Sequence, residues 1–150
     1  MKVIGYLRVS TREQADDGYG LDAQRSAITA EAERRGWDVV WIEDEGYTAR
    51  RDDRPGLQTA LTMLRKKQAQ ALVVSKLDRL SRSVQHFAAF LSMAMRQRWS
   101  VVALDPGIDM TTANGELVAN VLMSVAQWES RINGERTEPV NLSEAPFRQN

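Results

Sequence analysis

ALVVSKLDRLSRSVQHFAAFLSMAMRQRWSVVALD, residues 71–105, holds two short apolar runs, 71–75 and 101–104, on either side of Val84, Phe87, Leu91 and Met95 at helical spacing. Short runs of β-branched and apolar residues read as buried strands, and a 3.6-residue period reads as a helix. Strand, helix and strand in that order form the crossover that parallel neighbours need. The same grammar runs upstream. Residues 3–9 and 39–42 read as strands, Leu21, Ile28 and Ala32 mark one helix, and Leu57, Leu61 and Leu64 mark another. The alternation predicts an α/β fold with a mainly parallel central sheet flanked by helices. Asp22 and Ser83 are expected N-caps, Asp53 with Pro55 a helix start, and Gly36 a helix stop. Beyond the fourth strand, residues 115–136 carry Leu117, Val118, Val121, Leu122, Val125, Ala126 and Trp128 at helical spacing, which predicts a long C-terminal helix. Core is the plainer expectation for that stripe, and pairing with another subunit the alternative. Residues 137–150, with Pro139, Pro146 and no periodicity, are expected to form a disordered tail.

A chain of 150 residues with 43% hydrophobic content suffices for one compact domain and is too short for two full ones. Twenty Lys and Arg balance twenty Asp and Glu, so DNA contact, if any, must come from a local patch. The absence of cysteine excludes disulfides, thiolate metal sites and cysteine nucleophiles. No uninterrupted apolar run approaches bilayer length, so a soluble, cytoplasmic protein without membrane contact is expected.

In open α/β sheets ligands bind beyond the carboxyl ends of the strands. At the end of the first strand stand Arg8, Ser10 and Thr11. After the third stand Lys76, Asp78, Arg79 and Arg82, and after the fourth Asp105. A hydroxyl, several guanidinium groups and carboxylates converging on one face suit phosphoryl transfer, which needs a nucleophile and charge neutralisation on the non-bridging oxygens. Arginine serves the second need because its planar fork matches phosphate oxygens two at a time. Each residue alone has a plainer reading, the serine as a turn residue and the Asp–Arg pair as a surface ion pair. The only histidine, His86, falls in a helix without a serine-and-acid pattern, so it reads as a surface or interface residue and a Ser-His-Asp hydrolase is poorly supported. No phosphate-binding Gly-Lys loop and no dinucleotide fingerprint follows a strand.

Five segments together resemble the serine site-specific recombinases of the resolvase/invertase group: YLRVST at 6–11, GLDAQ at 20–24, DRPGL at 53–57, KLDRLSR at 76–82 and DMTTANG at 109–115. The resemblance covers residues 1–136, a resolvase-type catalytic domain. It implies that Ser10 attacks a DNA phosphodiester to form a 5′-phosphoserine intermediate, followed by strand exchange and religation without metal or cofactor. It implies further that Arg8, Arg54, Arg79 and Arg82 bind the phosphate, that Asp78 orients an arginine or handles protons, and that Gln14, Gln24 and Lys76 lie on the substrate. Double-stranded DNA is the implied substrate, with self-association as dimers and as tetramers in the active complex. The ADDGYG segment between Ser10 and Gln24 is similar to the longer loop of large serine recombinases.

The chain departs from the family pattern in two places. In AQWESRINGERT, Ser130 and Asn133 replace the usual arginine and apolar residue, and Gly134 weakens the helix interior. No helix-turn-helix or zinc pattern follows Arg136, so the DNA-binding domain is expected to be absent. A truncated, catalytically silent dimerisation module is therefore the alternative function. A small α/β phosphatase ranks last, because it leaves Arg54 and DRLSR together unexplained.

Overall fold

The computed structural model describes residues 1–10, 20–46, 54–81 and 83–137. Five strands, β1 (Lys2–Ser10), β2 (Asp38–Gly46), β3 (Ala71–Lys76), β4 (Ser100–Asp105) and β5 (Ile108–Asp109), form one sheet in the order β2-β1-β3-β4-β5. The first four are parallel and β5 is antiparallel to β4. The helices are α1 (Leu21–Arg35), α2 (Pro55–Arg65), α3 (Val84–Gln97) and α4 (Ala113–Thr137), and a 3-10 turn, Leu77–Arg79, follows β3. This is the expected α/β architecture with a long C-terminal helix. The short β5 adds to it, a two-residue strand too brief to carry a period.

Both faces of the sheet are covered, which is why its strands read as near-continuous apolar runs. Val3 and Leu7 of β1 pack with Ala71, Val73 and Val102 against Ile28 of α1. One residue out of phase, Ile4 and Tyr6 join Leu72, Val74, Val101 and Ala103 in a larger core with α2, α3 and the first half of α4. The period-2 alternation of a strand thus assigns successive β1 residues to opposite layers.

Ser83 caps α3 as expected, its hydroxyl accepting from the His86 N–H at 3.0 Å, and Gly36 ends α1 at φ 72°. Asp22 does not cap α1. Gly20 holds the N-cap position and Asp22 stands in the first turn, where its carboxylate faces the positive end of the helix dipole. Pro55 opens α2 with Arg54 as N-cap, while Asp53 lies outside the described residues. Thr137 ends α4 instead of opening a tail, and residues 138–150 are outside the described residues.

The apolar stripe of α4 is only half core. Ala119 and Ala126 are buried, but Leu117 and Trp128 are each 62% exposed, and Val118, Val121 and Val125 are exposed with them. The core expectation fails here because α3 covers one side of α4 and the described residues cover nothing on the other. A row of exposed large apolar residues of this kind marks an interaction surface.

The segment DMTTANG fixes the start of α4. The Thr112 hydroxyl donates to the Asp109 carbonyl at 2.9 Å and accepts from the Gly115 N–H at 3.0 Å. Asp109 meets Arg35 of α1 at 2.5 Å, and Arg35 stacks on Trp37 at 4.6 Å. Desolvation pushes the Asp109 carboxyl up, yet hydrogen bonds from Thr111 and Arg35 outweigh it and hold the carboxyl below its usual range. A Cβ on Gly115 would lie 1.5 Å from the Asp109 carbonyl oxygen, so only glycine lets the helix approach β5 this closely. Gly115→Ala is expected to cost about 3 kcal/mol in urea unfolding, because backbone must move. The helix-propensity gain of alanine, about 1 kcal/mol, is smaller.

Candidate active site

Chain direction across the sheet reverses at β1, with β2 on one side and β3 on the other. Such a switch point leaves a crevice beyond the carboxyl ends of the strands. Here β1 and β3 pair only where Val3, Ile4 and Gly5 meet Ala71, Leu72 and Val73, and the ladder between them stops there. The buried amide of Gln24 from α1 bridges to the orphaned main chain. Its Oε1 accepts from the Arg8 N–H at 3.1 Å and its Nε2 donates to the Arg8 carbonyl at 2.9 Å. On the other side β2 stays in register to the end, Arg8 opposite Asp44 and Ser10 opposite Gly46. The main chain of Ser10 is therefore the last rung of β1. Its side chain lies outside what is described, as do Gln14 and Arg82.

Three arginines from three segments approach this end. Arg8 is half-buried near the end of β1. Arg54, the N-cap of α2, is 7% exposed, and its Nη1 donates to the carbonyls of Leu80 at 3.0 Å and Arg79 at 3.4 Å. Arg79, in the turn after β3, is 6% exposed, with Nε 3.6 Å from the exposed carboxylate of Asp78. That turn packs against β1, β3 and β4. Lys76, half-buried, ends β3 opposite Asp105 of β4. The structure thus brings Arg54 and Arg79 into contact and sets Asp78 beside Arg79, with Arg8 on the neighbouring strand. His86 is exposed on α3, its ring 5.3 Å from Phe90.

Two residues that the sequence reading passed over hold Arg54 in place. The buried Asp44 carboxylate accepts from the N–H groups of Gly56 at 2.7 Å and Leu57 at 2.9 Å, and from the Tyr6 hydroxyl at 2.8 Å. It caps α2 from a neighbouring strand, supplying the acceptor that Arg54 at the N-cap position does not. Glycine is required at 56, where a Cβ would meet Asp44 Oδ1 at 2.8 Å and the Glu43 carbonyl at 2.9 Å. Burial raises the Tyr6 hydroxyl, the hydrogen bond and charge of Asp44 raise it further, and Arg54 only partly opposes them. Tyr6 therefore remains a donor, between Asp44 and the Arg54 guanidinium. Asp44 sits in an acidic run, EDE at 43–45, that reads as solvated strand edge; only the register with Tyr6 and Arg8 reveals it. Asp44→Ala strands three donors and is expected to cost about 3 kcal/mol or more by urea unfolding. A loss under about 1 kcal/mol would mean that water replaces the carboxylate.

Among the described residues no group of three or more His, Asp or Glu is placed to hold a metal ion, and no helix is long and apolar enough to cross a membrane. The electrostatic character of the site comes from guanidinium groups, and the two buried ones, Arg54 and Arg79, interact with an anion more strongly than they would in water.

The family described as Resolvase, N terminal domain, matches residues 3–140. The chain is 35% identical over 138 residues to the DNA-invertase hin of Salmonella typhimurium, covering 91% of this chain and 65% of that protein. It is 33% identical over 135 residues to the serine recombinase gin of Escherichia phage Mu, covering 90% and 63%. It spans less than two thirds of either relative's length. The N-terminal catalytic domain of TP901-1 integrase superposes with a TM-score of 0.80 at 31% identity, covering 89% of this chain and 99% of that one. A resolvase family site-specific recombinase from Streptococcus pneumoniae superposes with a TM-score of 0.76 at 26% identity, covering 97% and 99%.

Proposed function

The chain belongs to the resolvase family through its N-terminal domain, and from that membership we propose that residues 1–136 are the catalytic domain of a site-specific DNA recombinase. The observation that carries this reading is the contact between two buried arginines, Arg54 and Arg79, from segments 25 residues apart, at the open end of β1. Buried guanidinium groups at a switch point provide preorganised charge for a phosphate in transit.

In this reading Ser10 Oγ attacks the scissile phosphorus. A bond forms between Ser10 and the 5′ phosphate, the bond to the 3′ oxygen breaks, and the serine proton is balanced by the proton taken up at the departing 3′ hydroxyl. Arg8, Arg54, Arg79 and Arg82 carry the charge of the non-bridging oxygens, and Asp78 orients Arg79. Lys76 and Gln14 contact the DNA beside the break. Gln24, whose amide is committed to the Arg8 main chain, acts by positioning that strand. The ester conserves the energy of the broken bond, so religation to an exchanged end needs neither metal nor cofactor. Self-association uses the exposed apolar face of α4, as a dimer that pairs into a tetramer for strand exchange in the cytoplasm. On its own this domain binds DNA weakly and without a defined site, because site selection comes from base contacts in the grooves.

The test joins residues 1–137 to a sequence-specific DNA-binding domain and supplies paired sites around a short spacer. Denaturant-resistant protein–DNA adducts are the expected outcome. A fusion that occupies its sites and forms dimers but no adducts would instead favour the silent dimerisation module.

A further inference from the structure

Positive charge is distributed unevenly along this neutral chain. Residues 54–104 contain nine Lys or Arg against the single carboxylate of Asp78, a local charge of +8. Four of the nine, Arg54, Lys76, Arg79 and Arg82, belong to the proposed active site. The other five lie at the opposite end of the sheet. Arg65, Lys66 and Lys67 stand where α2 turns into β3, and Arg96 and Arg98 where α3 turns into β4. All five are exposed, and among the described residues none is ion-paired with a carboxylate.

The two turns form one surface. The Lys67 ammonium donates to the Gln97 carbonyl. The Ser100 N–H donates to the Gln70 carbonyl at 3.1 Å, and the Lys2 N–H donates to Gln70 Oε1 at 2.9 Å. The strands are about 20 Å long, so this surface lies that far from the crevice.

Cations at helix carboxyl ends are favourable to the helix dipole, and that accounts for Arg65 and Arg96 in the last turns. It does not account for the backbone at Lys67 and Arg98. Lys67 has φ 65° and Arg98 φ 64°, the left-handed conformation in which a side chain is strained and glycine is not. Gly36 occupies after α1 the C-cap position that Arg98 holds after α3, and Lys67 lies one residue past the Lys66 C-cap of α2. The turns after α2 and α3 therefore each place a cation where glycine is the relaxed choice, which is how a functional demand shows in a backbone outlier.

We propose that this end is a second phosphate-binding surface, which grips the backbone of duplex DNA independently of the catalytic end. The choice of DNA over other polyanions rests on the recombinase reading above. Contacts of this kind carry no sequence information, and their strength falls steeply with salt.

The 150-residue chain is titrated onto a short fluorescent duplex of arbitrary sequence over a range of salt concentrations. In Lys67→Gly/Arg98→Gly, the slope of log K against log salt is expected to fall by about 2, with weaker binding and a melting temperature no lower than the parent's. Arg65→Gln/Lys66→Gln, which leaves the turn backbones alone, should give the same shift. Unchanged slopes in both variants, or a parent that does not bind the duplex at low salt, would overturn the proposal. So would displacement of the duplex by polyglutamate at equal charge concentration, which would assign the surface to an acidic protein. Adduct formation by the fused domain is scored separately, so a catalytic failure and a failure of this surface read out differently.

Discussion

Ser10→Ala is expected to abolish denaturant-resistant DNA adducts in the fused domain, a loss on the order of 10⁴-fold or more, while the protein keeps its fold and its site occupancy. The size follows from the kind of group removed. A missing phosphate-binding donor weakens transition-state stabilisation, whereas a missing nucleophile leaves no atom to form the phosphoester. Survival of the fold follows from the position. Ser10 is the last rung of β1 and pairs with Gly46 through the main chain, which alanine preserves. Circular dichroism and thermal melting of the variant check this. A melting temperature far below the parent's would make Ser10 structural, and persistent adducts would move the nucleophile elsewhere.

Arg79→Lys carries the second large effect, a loss of about 10² to 10³-fold in cleavage rate, by analogy with the removal of one preorganised donor in an acyl-transfer site. Arg54 bonds to the main-chain carbonyls of Arg79 and Leu80, so lysine at 79 leaves that contact in place. What changes is the buried side chain. A guanidinium offers two parallel donors to a phosphate, whereas an ammonium offers a point charge that is more strongly hydrated and more costly to bury. Single-turnover cleavage on the paired sites measures the loss. A rate within a few-fold of the parent would remove Arg79 from the phosphate clamp.

Most of the sheet was readable because both faces are buried. Strands such as ALVVSK and SVVALD then appear as apolar runs, and the helices between them keep their 3.6 period. The helix ends were readable where one local residue does the capping, as Ser83 and Gly36 do. They were not where the cap comes from elsewhere in the chain. Asp44 serves α2 across a strand-to-helix connection, and no spacing rule links it to Gly56 and Leu57. The same holds for Gln24. Proximity to substrate was the expectation from motif position, while its hydrogen bonds to Arg8 follow from β3 parting from β1 after Gly5. The α4 stripe misled for a different reason. Periodicity shows that a face is apolar but not what covers it.

In the proposed mechanism one serine forms a covalent bond to DNA phosphate. The most direct measurement digests the purified adduct with nuclease and protease and sequences the nucleotide-bearing peptide by mass spectrometry. A single modified peptide from the end of β1, with a 5′-nucleotide esterified to Ser10, is the expected result. A nucleotide on another hydroxyl, such as Ser81 or Tyr6, or cleaved DNA with no peptide attached, would contradict it.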